Sequence, residues 1–228
     1  MPVMHKFTGR TIALVAVGAA LISASALWGG YKLGGGVPLT LQTLAVLLVG
    51  ASLGAYRGAA AVLVYLALAT AGVPIFSGRV GGPDRWTTPL AGFLVGFVVA
   101  AFVTGWIAER LAAKRQANFF SFLGATFVGA IACVGVIGWG YFGLKKDLNF
   151  NETFAAFTPF VPGDAIKATI AAAVAIAVYR AYPQILVPAS AATPAAPAPS
   201  APAVSKAAPV SKAAPGKKSP AKSTAAKK

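Results

Sequence analysis

The chain of 228 residues has one cysteine, one histidine and five acidic residues. Cys133 alone allows neither an intrachain disulfide nor a Cys-based metal cluster. His5, the only histidine, lies before the first apolar run, which excludes a serine–histidine triad and a histidine-bound zinc within the apolar segments. No G-x-x-x-x-G-K-[ST] run occurs, so ATP hydrolysis through a phosphate loop is excluded. Charged residues make up only 11%, against about a quarter in a soluble domain. The expectation is a chain that is not an enzyme and holds no cofactor or metal.

What is abundant is apolar surface: 57% of residues are hydrophobic, which marks a membrane protein. Basic charge is divided in two. Seven of the 20 Lys and Arg residues lie beyond residue 200 and all five acids precede it, so the net +15 splits into +8 for the body and +7 for the tail. The basic balance is partly a property of that tail and does not point to a nucleic-acid-binding domain.

Six stretches are long and apolar enough to be read as spans: residues 11–28, 37–56, 58–76, 87–108, a fifth within 118–144, and a short sixth, 165–179, that "RAYPQILV" would extend. The second and third adjoin as a tight hairpin. The expected fold is an all-α integral membrane protein, with a six-helix domain over 1–187 and a disordered Ala/Pro/Lys-rich cytoplasmic tail over 188–228, where too little apolar surface can be buried to offset ordering entropy. That tail reads as a solubilising segment, with contact to anionic headgroups as the other use for its lysines. No aromatic residue interleaves them, so no nucleic-acid partner is expected.

The first segment also fits a secretory signal peptide, with Lys6 and Arg10 before it and "ASA" at 24–26 as a cleavage site. A retained helix gains from Ala16, Ala20 and Ala24, which line one face with small side chains suited to close helix contact. Basic residues near the segment ends divide seven to six in favour of cytoplasmic N- and C-termini.

Ionisable residues inside a span mark a functional site by default. Asp164 and Lys167, in "FVPGDAIKATIAAA", lie one turn apart on one helix face. One reading makes Asp164 an N-cap and lets Lys167 snorkel to headgroups. The other makes them an acceptor and a donor for a small polar ligand head, a better use for a lysine that opposes the helix dipole. Thr40, Gln42 and Tyr65 are further polar candidates at the same membrane face. Arg79 and Arg85 are solvated loop charges or, over a pocket mouth, partners for a substrate carboxylate.

The runs "VPLTLQTLAVLLVGASLGAYRGAAAVLVYLALATAGVPIFSG", "LAGFLVGFVVAAFVTGWIAER" and "PFVPGDAIKATIAAAVA" resemble the BioY family, the biotin-binding S components of energy-coupling-factor (ECF) transporters. The resemblance covers about residues 11–182. It implies a six-helix S-component fold in the cell membrane, biotin as ligand and uptake energised by a separate ECF coupling protein and ATPase subunits. It assigns biotin contacts to Asp164 and Lys167, a docking face for the coupling protein to Ala16, Ala20 and Ala24, and closure over the site to "GGYKLGGGVPLT". Relatives commonly carry "GPTGGYLxGF" before the fourth helix where this chain has "TTPLAGFLVGF", so Thr88, Leu90, Ala91 and Phe93 depart from the pattern. Two rival functions stand beside biotin uptake: an S component for another vitamin, and a non-transport membrane protein that recruits partners through its basic tail.

Overall fold

The computed structural model describes residues 9–32 and 38–186; the expected tail, 188–228, lies outside them. Among the described residues eight helical segments form six rods. α1 (Gly9–Leu27) leads into a two-stranded antiparallel hairpin of β1 (Gly29–Lys32) and β2 (Pro38–Thr40), paired Gly29 to Thr40 and Lys32 to Pro38. α2 (Gln42–Leu53), α3 (Ala55–Thr70) and α4 (Ala91–Ala113) follow. α5 (Phe119–Phe127), a π-wound stretch (Val128–Trp139) and α6 (Gly140–Lys145) make one continuous rod of 27 residues. α7 (Phe150–Phe157), a 3-10 turn (Thr158–Phe160) and α8 (Val161–Ala181) make the last, of 32 residues.

Four rods, beginning at Gly9, Ala91, Phe119 and Phe150, are long and apolar enough to cross a bilayer. α2, with 12 residues, is shorter than the 37–56 run that contains it, and α3, with 16, starts before the 58–76 run and ends at Thr70, short of its end. Physical reasons for the shortening are local. Pro38 and its neighbours pair in the hairpin instead of coiling, and Gly54 breaks the run at φ 87, a left-handed conformation that favours glycine. The turn therefore falls at Gly54 and Arg57 becomes part of the first turn of α3, rather than ending the second span. The sixth segment differs in the other direction: α8 starts four residues before the expected 165 and is preceded by α7, while "RAYPQILV" ends in a separate 3-10 turn, Pro183–Ile185. α7 escaped notice because "NFNETFAAF" is only half apolar. Asn149 and Glu152 nevertheless close a reciprocal capping box at 2.9 Å each way.

α2 is apolar all round, as a central helix should be. It packs against α1, α3, α4 and α8, and its Ala45, Val46, Leu47 and Ala51 are almost wholly buried. Small residues set the spacing: a Cβ on Gly50 would stand 2.6 Å from the Ala101 carbonyl oxygen of α4. α1 turns Gly18, Ala19, Ile22 and Ala26 toward the bundle, with Gly18 against Ala61 of α3. Ala16, Ala20 and Ala24 are exposed, so the small-residue stripe is not what packs α1 onto this chain.

At one end of the bundle the chain closes tightly. Glu109 Oε1 accepts from the Ala55 N–H at 3.2 Å, Arg57 donates to the Ile185 carbonyl, and Leu186 is buried with Ala51, Ala108 and Phe122. At the other end the helices diverge around a cavity.

Candidate ligand-binding site

Cavity walls come from every rod except α1. Thr40 ends β2, and Gln42 and Thr43 open α2. Tyr65 comes from the second half of α3, while Phe76, Ser77 and Arg85 belong to the loop that follows it. Leu90, Phe93, Leu94 and Phe97 open α4; Val134 and Trp139 lie on the π stretch; Phe160 ends the 3-10 turn of the last rod, and Asp164 and Lys167 open α8. The empty space between them, open mouth included, is about 640 Å³.

Its polar floor is the pair singled out in the sequence. Lys167 Nζ donates to Asp164 Oδ1 at 3.0 Å, and Lys167 is 8% exposed. Asp164 is not an N-cap: Phe160 holds that position, Pro162 lies in the first turn where its missing N–H costs nothing, and no side chain caps the helix. Lys167 does not snorkel either, since it is buried against the acid. Among the described residues neither charge has another hydrogen-bond partner, leaving two ammonium protons and a carboxylate oxygen for a guest.

A second polar pair lines the same cavity. Gln42 Nε2 donates to Tyr65 OH at 3.0 Å, and the Gln42 N–H donates to Thr40 Oγ1 at 3.3 Å. Both Gln42 and Tyr65 are buried. Phe76 meets Tyr65 edge-on at 5.9 Å, which keeps the phenol in place.

The two loop arginines part company. Arg85 lines the cavity, half-buried, and donates from Nη2 to the Ser77 carbonyl at 3.3 Å. Burial lowers its pKa from the ordinary guanidinium value; arginine nevertheless stays protonated in proteins. Arg79 is no part of the cavity. It sits in a left-handed turn at φ 58, exposed, beside Ala24, Leu27 and Trp28 at the end of α1. Neighbouring Trp86 fixes the loop by donating from Nε1 to Thr70 Oγ1 at 2.9 Å.

Six of the seven residues expected to bind substrate therefore border one cavity, and Arg79 does not. Sequence reasoning missed its aromatic wall, Phe76, Phe93, Phe97, Trp139 and Phe160. In a chain where 11% of residues are aromatic, a phenylalanine facing lipid and one facing a cavity look alike. The departing run "TTPLAGFLVGF" supplies Leu90 and Phe93 to this wall, with Phe93 edge-on to Trp139 at 5.4 Å.

Comparison with known proteins agrees on one family. Residues 3–184 match the BioY family. The chain is similar to the biotin transporter BioY of Rhizobium etli, at 41% identity over 80% of this chain and 98% of that one. It is also similar to the biotin transporter BioY of Rhodobacter capsulatus, at 41% over 75% and 95%. Its fold is similar to the crystal structure of the S-component for biotin from an ECF-type ABC transporter, with TM-score 0.72 and 23% identity over 77% of this chain and 95% of that one. Six helical rods, four of them long enough to span, and a match over most of the chain make this multi-pass membrane protein a member of the BioY family.

Proposed function

We propose that the chain is the substrate-capturing S component of an ECF-type biotin transporter, taking up biotin without chemistry of its own. Biotin presents a ureido ring with a carbonyl acceptor and two N–H donors, an apolar thioether ring and a carboxylate on a flexible chain. The Lys167 ammonium donates to the ureido carbonyl and Asp164 accepts from one ureido N–H. Gln42 and Thr40 offer acceptors for the second N–H, the aromatic wall covers the fused rings, and Arg85 at the rim receives the carboxylate. The observation that carries this reading is the pair of buried Lys167 and part-buried Asp164, which lines a cavity with no further partner among the described residues.

Energy must come from elsewhere, since the sequence has no phosphate loop. The exposed Ala16, Ala20 and Ala24 offer an ECF coupling protein a face on which helices approach closely, with ATPase subunits behind it. Arg10, Arg57, Arg110, Lys114, Arg115 and Arg180 lie at the closed end of the bundle. Because Lys167 is buried in the site, it leaves the count of external basic residues. The balance becomes seven to five for cytoplasmic termini, with the cavity opening outward from the cell membrane.

Calorimetric titration of the purified protein with biotin tests the proposal, together with mass spectrometry of whatever small molecule co-purifies. Tight one-to-one binding of biotin is expected. Another co-purifying vitamin, with biotin giving no heat, overturns it.

A further inference from the structure

Trp139 is the most heavily ringed side chain of the site. Phe93 at 5.4 Å, Phe142 at 5.3 Å, Phe157 at 5.6 Å and Phe160 at 5.0 Å surround its indole, and only 5% of the residue is exposed. Four contacts from α4, α6, α7 and the turn before α8 leave the ring little freedom to rotate. Buried indole N–H groups nearly always find an acceptor. No described residue accepts from Trp139, yet its nitrogen is not among the sealed, unpartnered polar atoms. Trp139 also lines the cavity, so a bound guest can supply the acceptor that the protein does not.

We propose that Trp139 is a specificity-determining ligand contact whose indole N–H donates to a neutral carbonyl oxygen of the bound molecule. Phenyl rings cannot solvate an anion, so a carboxylate is excluded from this cage and goes to Arg85 at the rim. A neutral acceptor meets no such penalty. On the biotin reading, on which this inference rests, that acceptor is the ureido oxygen, whose two lone pairs then face Lys167 Nζ and Trp139 Nε1. A site that places a donor on this atom rejects analogues in which the oxygen is replaced by a donor group.

The test compares biotin with 2-iminobiotin, in which an imino group replaces the ureido oxygen, on the full-length protein and two variants. Trp139→Phe keeps an aromatic ring and removes the N–H; Trp139→His keeps a ring N–H. Trp139→Phe is expected to weaken biotin by roughly five- to tenfold, the size of one neutral hydrogen bond, while changing 2-iminobiotin less than twofold. Trp139→His is expected to retain more of the preference for biotin than Trp139→Phe. Equal losses for both ligands in Trp139→Phe, or no loss, overturn the inference and leave Trp139 a packing residue.

A readout on the unaltered protein makes the result independent of variant folding. One of the four indole N–H resonances must move downfield with biotin and stay with 2-iminobiotin; if none moves, the inference falls. Failure of the unaltered protein to bind biotin at all overturns the ligand assignment and this inference with it. Normal biotin binding with an indifferent Trp139 overturns this inference alone.

Discussion

The two ends of the bundle each hold a carboxylate and a cation on neighbouring helical turns or rods, and they use them in opposite ways. At the closed end Arg57 and Glu109 attract each other and each also holds backbone: Glu109 accepts from the Ala55 N–H and Arg57 donates to the Ile185 carbonyl. Glycines remove the remaining space. A Cβ on Gly54 would strike Glu109, and one on Gly105 would strike the backbone of Gly54 and Ala55. At the open end Lys167 and Asp164 are bonded to each other, and bulky rings hold the helices apart. Ionic groups bonded to backbone close a bundle, whereas ionic groups left with capacity and surrounded by rings keep a cavity polar at its floor.

The contrast breaks most sharply at Lys167. Lys167→Ala leaves the Asp164 carboxylate unpaired, and removing one member of a buried pair costs about 2–5 kcal/mol of binding. Calorimetry should show biotin affinity down by roughly 30-fold or more, with the variant still eluting as a monodisperse protein. Unchanged affinity would sink the role assigned to the pair.

At the closed end the effects should fall on stability. Gly105→Val forces side-chain atoms into the α2–α3 turn and is expected to cost about 3 kcal/mol, read as a lowered melting temperature in detergent. Glu109→Ala leaves the buried Ala55 N–H without its acceptor, at about 1–3 kcal/mol. In both, biotin affinity of the folded fraction should change less than threefold; a large loss of affinity would mean that the two ends are coupled.

A smaller effect sharpens the boundary of the open end. Arg85→Gln should weaken biotin by roughly tenfold and flatten its salt dependence, a partly exposed cation being worth less than a buried one. Arg79→Gln, on the exposed turn, should leave both unchanged. Equal losses in the two variants would indicate a diffuse electrostatic effect rather than a contact from Arg85.

Much of the site was legible because polar residues are conspicuous in an apolar chain. Asp164, Lys167, Gln42, Thr40 and Tyr65 stand out against their segments, and burial costs each of them enough to need a partner. The choice between helix cap and ligand site for Asp164 was not legible. Both need a carboxylate near a helix start, and only the position of Phe160 as the capping residue, with α7 running in before it, removes the first. Arg79 and Arg85 were indistinguishable for a similar reason. Six residues apart in one loop, they differ by a left-handed turn that sends one outward and leaves the other on the rim.

By itself the sequence determined the membrane class, the number of apolar rods, the concentration of basic charge beyond residue 200 and the lack of a phosphate loop, because each depends on composition, on a short motif or on the length of an uncharged run. Tertiary structure decided where those runs break, which face of α1 remains open, and which aromatic side chains enclose space rather than meet lipid. Those outcomes depend on what each residue touches across the bundle: a phenylalanine carries the same apolar surface in either place, and its neighbours alone make it part of a site.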